Sequence, residues 1–283
     1  MRPQLVSVEG DDFASIAMTK GSQVSEQVRS LYDELGWLEL EAGITYDAHT
    51  WEDLRPVASD YVTATRRRVL RHLPASGGRL LDMASGPIQY PEYLEYSAGF
   101  AKRVCVDLSQ RALDMARAKI GDHGDFLCGD FLDRDIPPNS MDAAVSLHTV
   151  YHIHSSRQAA VVRKLVHVVK PGANVVIVYS NPDNLVSMLT RPIRKMLGKI
   201  KDNPSAETLY FEPQSLKWWQ QFADIADVKI YPWRMLSTRV QKRLIPAGHI
   251  GKRMLNSLLK LEERFPRSFV RMGCYPMIVL RKR

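Results

Sequence analysis

Three aspartates stand where short apolar runs stop. Asp82 follows Arg79-Leu80-Leu81, Asp107 follows Lys102-Arg103-Val104-Cys105-Val106, and Asp130 follows Asp125-Phe126-Leu127-Cys128-Gly129. Taken singly, each reads as a helix cap or a solvated turn. Taken together they form a set of acceptors. An acid at the second position can accept two hydrogen bonds from a ribose diol. One at the third can accept from an exocyclic amine, and one at the first can help hold an amino group. Leu108 and Phe131 offer apolar faces on which a flat base would pack. The small residues of the turn Met83-Ala84-Ser85-Gly86-Pro87 let the backbone come close to a ligand. The turn lacks the G-x-G-x-x-G that aims a helix N-terminus at a pyrophosphate. Read as D-x-G-x-G-x-G, it keeps Asp82 and Gly86 but has Ala84 and Ile88 at the other glycine positions. The set suits a nucleoside with an amino-acid tail and no phosphates. In Leu147-His148-Thr149-Val150-Tyr151-His152-Ile153-His154, His148 and His152 could each take the proton of an alcohol. The plainer alternative for either is a satisfied polar residue. His148, nearest the end of its apolar run, is the better candidate for a base.

Acids this far apart in sequence meet only if their runs are strands whose tips share one edge. The pattern predicts that arrangement. Strands are expected at about Arg79–Asp82, Lys102–Val106, Asp125–Cys128, Met141–Leu147 and Asn174–Tyr179, alternating with helices that Ser109 and Ser155 begin. Such alternation argues a parallel sheet covered on both faces, with right-handed crossovers that put the tips together. Later strands are expected at Ala226–Trp233 and Tyr275–Leu280, a helix at Pro213–Ala223, a basic helix at 184–201, and helix-rich chain at 236–267. Before the sheet, residues up to about Gly21 show no period, and Val24–Leu35 and Trp51–Leu73 read as helices, with Thr50 capping the second and Pro56 kinking it. Three parts follow: an N-terminal helical lid at 1–74, a ligand-binding core at 75–180, and a C-terminal part at 181–283 that completes the sheet.

The charge is uneven. Residues 1–180 hold 19 Lys/Arg and 23 Asp/Glu, and residues 181–283 hold 20 and 8, so the back of the chain carries the whole surplus behind the net +8. Such a surface meets an anionic partner or is simply a solvated face. No apolar run approaches the roughly 18 residues of a membrane span. No secretory apolar region follows Met1, and three cysteines without metal-ligand spacing point to a reducing, cytoplasmic setting.

From about Leu80 to Tyr179 the chain resembles the core of class I S-adenosylmethionine-dependent methyltransferases. The resemblance rests on Leu81-Asp82-Met83-Ala84-Ser85-Gly86, Cys105-Val106-Asp107-Leu108-Ser109, Gly129-Asp130-Phe131, Met141–His148 and Leu165–Gly172, in that order. It implies a Rossmann-like α/β fold: a seven-stranded, mostly parallel sheet with helices on both faces and an antiparallel last strand. The implied cofactor is S-adenosylmethionine. Asp82, Ala84, Ser85 and Gly86 would line its methionine part. Asp107 would bind the ribose hydroxyls, with Leu108 on the adenine. Asp130 and Phe131 would meet the adenine edge, and Leu147 and His148 would lie near the sulfonium.

Methyl transfer from a sulfonium is an in-line displacement that gains most from proximity, although an alcohol acceptor also gains from a base. The N/D-P-P-Y/F of amino-methylating enzymes is absent after the fourth strand, where the chain has Ser146-Leu147-His148-Thr149. No metal-binding pattern is evident. The expected reaction is O-methylation of a small molecule, a glycan or a lipid-linked sugar. Tyr32, Tyr46, Trp51 and Tyr151 are candidates to face the acceptor. Arg194, Lys195 and Lys199 would attract one that is anionic, and a basic amphipathic helix can also lie on an acidic membrane. The alternatives are a nicotinamide-dependent or nucleotide-sugar oxidoreductase, which tight NADH binding would mark, a binding protein of the same fold without catalysis, and a nucleic-acid methyltransferase using the basic part. Salt-resistant affinity for RNA or DNA would mark the last. The basic surplus alone does not require nucleic acid.

Overall fold

Thr45, five residues before the expected cap, sets the first boundary near the cavity. In the computed structural model, which describes residues 10–41, 43–196 and 209–283, Thr45 Oγ1 accepts from the Ala48 N–H at 3.2 Å and opens helix α2 (Tyr46–Trp51). Thr50 lies inside that helix, so the expected cap is displaced. Ahead of it come helix α1 (Gly10–Leu31), a π-helical turn (Tyr32–Gly36), and a hairpin of β1 (Glu39–Glu41) and β2 (Ile44–Thr45). Helix α1 thus begins well before Gly21, although no apolar period marks its first turns. After Trp51 the chain leaves the helical path. Pro56 has no N–H to donate and starts a 3₁₀ turn, and helix α3 (Ser59–Arg67) follows. The single long helix expected from 51 to 73 is therefore several short pieces.

The sheet is built by alternation. In β3 (Gly77–Met83), Leu81 and Met83 pack on one face and Leu80 on the other. Beside it run β4 (Phe100–Asp107), β5 (Gly124–Cys128), β6 (Ala143–Leu147) and β7 (Asn174–Val178), all parallel, with β8 (Ala226–Arg234) and β9 (Tyr275–Lys282) beyond them. The spatial order is β5-β4-β3-β6-β7-β9-β8, and β9 runs antiparallel to both its neighbours. This is a Rossmann-like α/β sheet with the antiparallel last strand that the resemblance implies.

Helices cover both faces. Pro91 begins the short helix α4 (Pro91–Glu95), where its missing N–H costs nothing. Ser109 Oγ accepts from Ala112 N–H at 3.0 Å and caps α5 (Gln110–Ile120). Helix α6 (Ser155–Val168) lays Val161, Val162, Leu165 and Val166 on the sheet. Helix α7 (Leu185–Met196) follows β7, and Lys199 lies outside the described residues. The expected helix at Pro213–Ala223 is a 3₁₀ turn over Leu216–Phe222, and it sinks Trp219 and Phe222 fully into the core. Helices α8 (Thr238–Leu244), α9 (His249–Arg264) and α10 (Pro266–Met272) fill the connection from β8 to β9.

This topology fixes where a ligand can bind. The five parallel strands end together at Met83, Asp107, Cys128, Leu147 and Val178. The register brings the end of β8 to the same edge, with Arg234 opposite Tyr275 at the start of antiparallel β9. Open α/β sheets bind their ligands at this edge.

Candidate active site

The turn after β3 holds its shape with few glycines. Gly86 has φ +53°, and Ala84 and Ile88 adopt φ +57° and +48° on either side of it. The two positions that lack the expected glycine therefore follow the same left-handed path, each with a steric cost of about 1–2 kcal/mol. Burial offsets that cost at Ile88, which packs with Cys105, Leu113 and Ala116. A Cβ on Gly86 would stand 3.1 Å from the Trp37 ring, so the N-terminal segment lies directly against the turn.

Asp82 lies at the tip of β3 but is committed to Arg103. Arg103 Nε donates to Asp82 Oδ2 at 3.0 Å, both side chains are buried, and Arg103 Nη1 donates to the Tyr93 carbonyl at 2.6 Å. Asp107 is held differently. Oδ2 accepts from Gly86 N–H at 2.8 Å and Oδ1 from Ser109 N–H at 2.9 Å. Burial pushes its carboxyl up to about 6, against the pull of those two N–H groups. No cation pairs with Asp107 among the described residues, and each oxygen keeps a lone pair for a ligand.

A cavity of about 370 Å³ opens between these tips and the N-terminal segment. Its floor includes Asp82, Ala84, Ser85, Gly86, Asp107, Leu108, Leu147 and His148, and its outer wall includes Tyr32, Trp37, Asp47 and Trp51. Tyr32 stacks on Trp37 with ring centroids 4.8 Å apart. Asp33 anchors this wall to the sheet, accepting from Ser109 Oγ with one carboxylate oxygen and from Arg111 Nη1 with its carbonyl at 3.1 Å.

His148 has φ +57° at the end of β6, a strained conformation that turns its ring among aromatic neighbours. The ring meets Trp233 and Tyr275 edge to face, and Nδ1 lies 3.1 Å from the Tyr151 hydroxyl. Burial, reinforced by Arg234, pushes its pKa down to about 3, so the ring is neutral at physiological pH. His152 Nδ1 donates to the Tyr210 carbonyl at 2.6 Å, and burial takes its pKa down to about 4.

Several expected residues lie elsewhere. Phe131 is 5% exposed and belongs to the core beneath α6, because the 3₁₀ turn at Phe131–Asp133 folds its ring inward. Its ring is thus not presented to a base. Asp130 does not line the cavity. It caps that turn through Leu132 N–H at 3.0 Å and accepts from Arg157 at 2.7 Å and from Ser25 at 3.1 Å. An adenine amine would have to share it with those partners. Tyr46 also lies outside the lining, while Tyr32, Trp51 and Tyr151 are in it. Arg194 and Lys195 fall within α7, but their side chains, like Lys199 as a whole, are outside the described residues.

The sequence reading missed the far wall. Glu52 is 5% exposed and accepts from Arg234 at 2.7 Å and from Arg66 at 2.8 Å. Burial pushes the Glu52 carboxyl up, but the two guanidiniums outweigh it and hold it below the usual range. Arg66 lies over the Tyr90 ring at 3.3 Å, and Arg234 lies 5.1 Å from Tyr275. The tyrosine-rich stretch at 90–96 thus has a structural account: Tyr90 and Tyr93 line the cavity, and the Tyr96 hydroxyl donates to the Arg66 carbonyl. Asp47 lines the cavity with no ion pair among the described residues. Burial, then the nearby Glu52 charge, pushes it up to about 6. The available signal was topological: Arg234 directly follows one expected strand and Tyr275 begins another at the ligand edge.

The polar groups suit an uncharged ribose and a cationic tail: among the described residues no cation pairs with Asp107 or Asp47, and the N–H of a lining indole, Trp37, has no partner. Residues 81–177 match the family described as a methyltransferase domain. No curated protein sequence matches the chain. Among solved structures, geranyl diphosphate C-methyltransferase from Streptomyces coelicolor A3(2), bound to Mg²⁺, geranyl diphosphate and S-adenosylhomocysteine, is 15% identical; the match covers 92% of this chain and 98% of that one with a TM-score of 0.53. A SAM-dependent methyltransferase from Archaeoglobus fulgidus is 18% identical over 79% of this chain and 94% of its own, with a TM-score of 0.50. The DhpI-SAM-HEP complex is 14% identical over 97% and 100%, also at 0.50. At these identities the structural likeness is one of fold.

Proposed function

We propose that this chain, whose residues 81–177 match a methyltransferase domain, is a class I S-adenosylmethionine-dependent enzyme that methylates an oxygen of a small molecule, or of the sugar end of a glycan or lipid-linked acceptor. The observation that supports this reading most is the cavity at the strand tips. Its outer wall is the N-terminal segment, and its volume suits a compact ligand rather than a duplex or a folded protein.

The cofactor supplies an activated methyl on its sulfonium. Ala84, Ser85 and Gly86 would line its methionine part, Asp107 would accept from its ribose hydroxyls, and Leu108 would pack on its adenine. Asp82 acts chiefly through Arg103, fixing the end of β3. The acceptor would lie between His148, Tyr151, Tyr90, Trp51 and Tyr275, with Asp47 and the Glu52–Arg234 pair as polar contacts. The neutral His148 ring offers a lone pair for the acceptor's proton, and the Tyr151 hydroxyl can orient it. A base held at about 3 is weak. Orientation therefore carries most of the rate, and His148 adds toward the lower end of the 10²–10⁴ typical of such groups, about a hundredfold.

The test is transfer of labelled methyl from S-adenosylmethionine to a panel of hydroxylated, amino and carbon acceptors. Label in hydroxylated acceptors, with kcat about a hundredfold lower in His148→Ala and little change in cofactor affinity, is the expected result. Label confined to amino or carbon acceptors would overturn the oxygen assignment.

A further inference from the structure

Helix α9 buries one face and leaves another bare. Gly251, Leu255 and Glu262 are buried, and Leu255 packs with Ala58, Tyr61 and Ile245. Ile250, Met254 and Leu261 follow one another at steps of four and seven residues, which places them along one side of the helix, and Phe265 stands at its C-terminal cap. They are 70%, 42%, 46% and 52% exposed, and Leu244, at the end of α8, is 59% exposed. Apolar side chains gathered in one stripe are unlike the single exposed ones of an ordinary surface.

Cations border this stripe. Lys242, Arg243, Arg253, Lys260, Arg264 and Arg267 are all exposed and make no ion pair among the described residues. Both acids of the helix are paired, Glu262 in the interior and Glu263 at the surface. Glu262 pairs with Arg68 and accepts from the Tyr61 hydroxyl, and Glu263 pairs with Arg68 and Arg71. The face therefore presents hydrocarbon and positive charge with no free acid.

We propose that the α8–α9 face docks the protein on an anionic lipid surface. The apolar stripe enters the boundary between headgroups and acyl chains, and the bordering cations meet anionic headgroups. A second copy of the same face would oppose like charges. A nucleic acid would use the cations but leave the Ile, Met, Leu and Phe stripe in water. The attachment is peripheral, since no helix among the described residues is long and apolar enough to cross a membrane. The face adjoins the cavity rim: Thr238 Oγ1 donates to the Trp51 carbonyl at 2.6 Å, and the Arg239 guanidinium lies 5.3 Å from the Trp51 ring.

The experiment is co-sedimentation of the full chain with phosphatidylcholine vesicles, with and without phosphatidylglycerol, at low and high salt. Binding should require phosphatidylglycerol and fall with salt. Arg253→Gln/Lys260→Gln/Arg264→Gln should weaken it on the order of a hundredfold, from roughly tenfold or less per cation. Ile250→Asp/Leu261→Asp should abolish it, while both variants keep the wild-type affinity for S-adenosylhomocysteine and so remain folded. Equal binding to both vesicle types, or full binding by the Asp variant, would overturn the proposal. So would a concentration-dependent dimer that the Asp variant loses, or RNA capture in place of vesicle binding.

Discussion

Asp107 carries the most specific expectation at the scale of the residue. Its carboxyl sits at about 6 because burial outweighs the N–H groups of Gly86 and Ser109. Below that pH it is protonated and loses one acceptor, and above it both oxygens can accept from a diol. Affinity for S-adenosylhomocysteine should therefore rise between pH 5 and pH 7, by up to about tenfold per unit below the pKa. Asp47, also at about 6, titrates in the same window and could tighten binding of a cationic tail. Asp107→Asn separates the two, because any pH dependence left in that variant belongs to Asp47. A flat profile in the wild-type protein would mean that neither acid faces the ligand. The acids at the tips of β3 and β4 were legible in the sequence. Their unequal availability was not, since nothing in the run Ala101-Lys102-Arg103 says that Arg103 turns inward to occupy Asp82.

At the scale of the element, a buried charge network joins the N-terminal segment to the sheet, beside the apolar contact that Val69 makes with it. Glu52 leaves the end of α2 and receives both Arg66 of α3 and Arg234 of β8. The charges are buried, so removing one partner leaves the others uncompensated. Glu52→Gln should destabilise the fold by roughly 3–5 kcal/mol, read as a lower midpoint in urea. A midpoint within error of wild type would show that the network is solvated. By linkage, this acid's depressed pKa contributes stability that is present above its unfolded value and lost as pH falls through the folded one, so Glu52 also predicts acid sensitivity. The strands were readable because alternating and continuous apolar runs have few other uses. The lid was harder. Thr45 and Thr50 are equally good caps by type, and only the hairpin before Thr45 decides between them. The long amphipathic period after Trp51 also persists through 3₁₀ and coil segments.

At the scale of the whole molecule, a sheet of known order delivers six strand ends to one edge, and an N-terminal segment closes over them. Sequence spacing led to this sheet because acids at successive strand tips need parallel strands. Spacing alone did not point to the far wall, whose residues come from 47–52, 66, 90–93, 234 and 275 and meet only after the chain has folded. The central claim is that the cavity under the lid is where the cofactor is held, with Asp107 as its ribose acceptor. Calorimetric titration of wild-type and Asp107→Ala protein with S-adenosylhomocysteine tests it most directly. One molecule should bind per wild-type chain, and the variant, still folded by circular dichroism, should bind at least about tenfold more weakly, the loss of a charge-assisted hydrogen bond of roughly 1.5–3 kcal/mol. No heat of binding to folded wild-type protein, or equal affinity in the variant, would contradict the account.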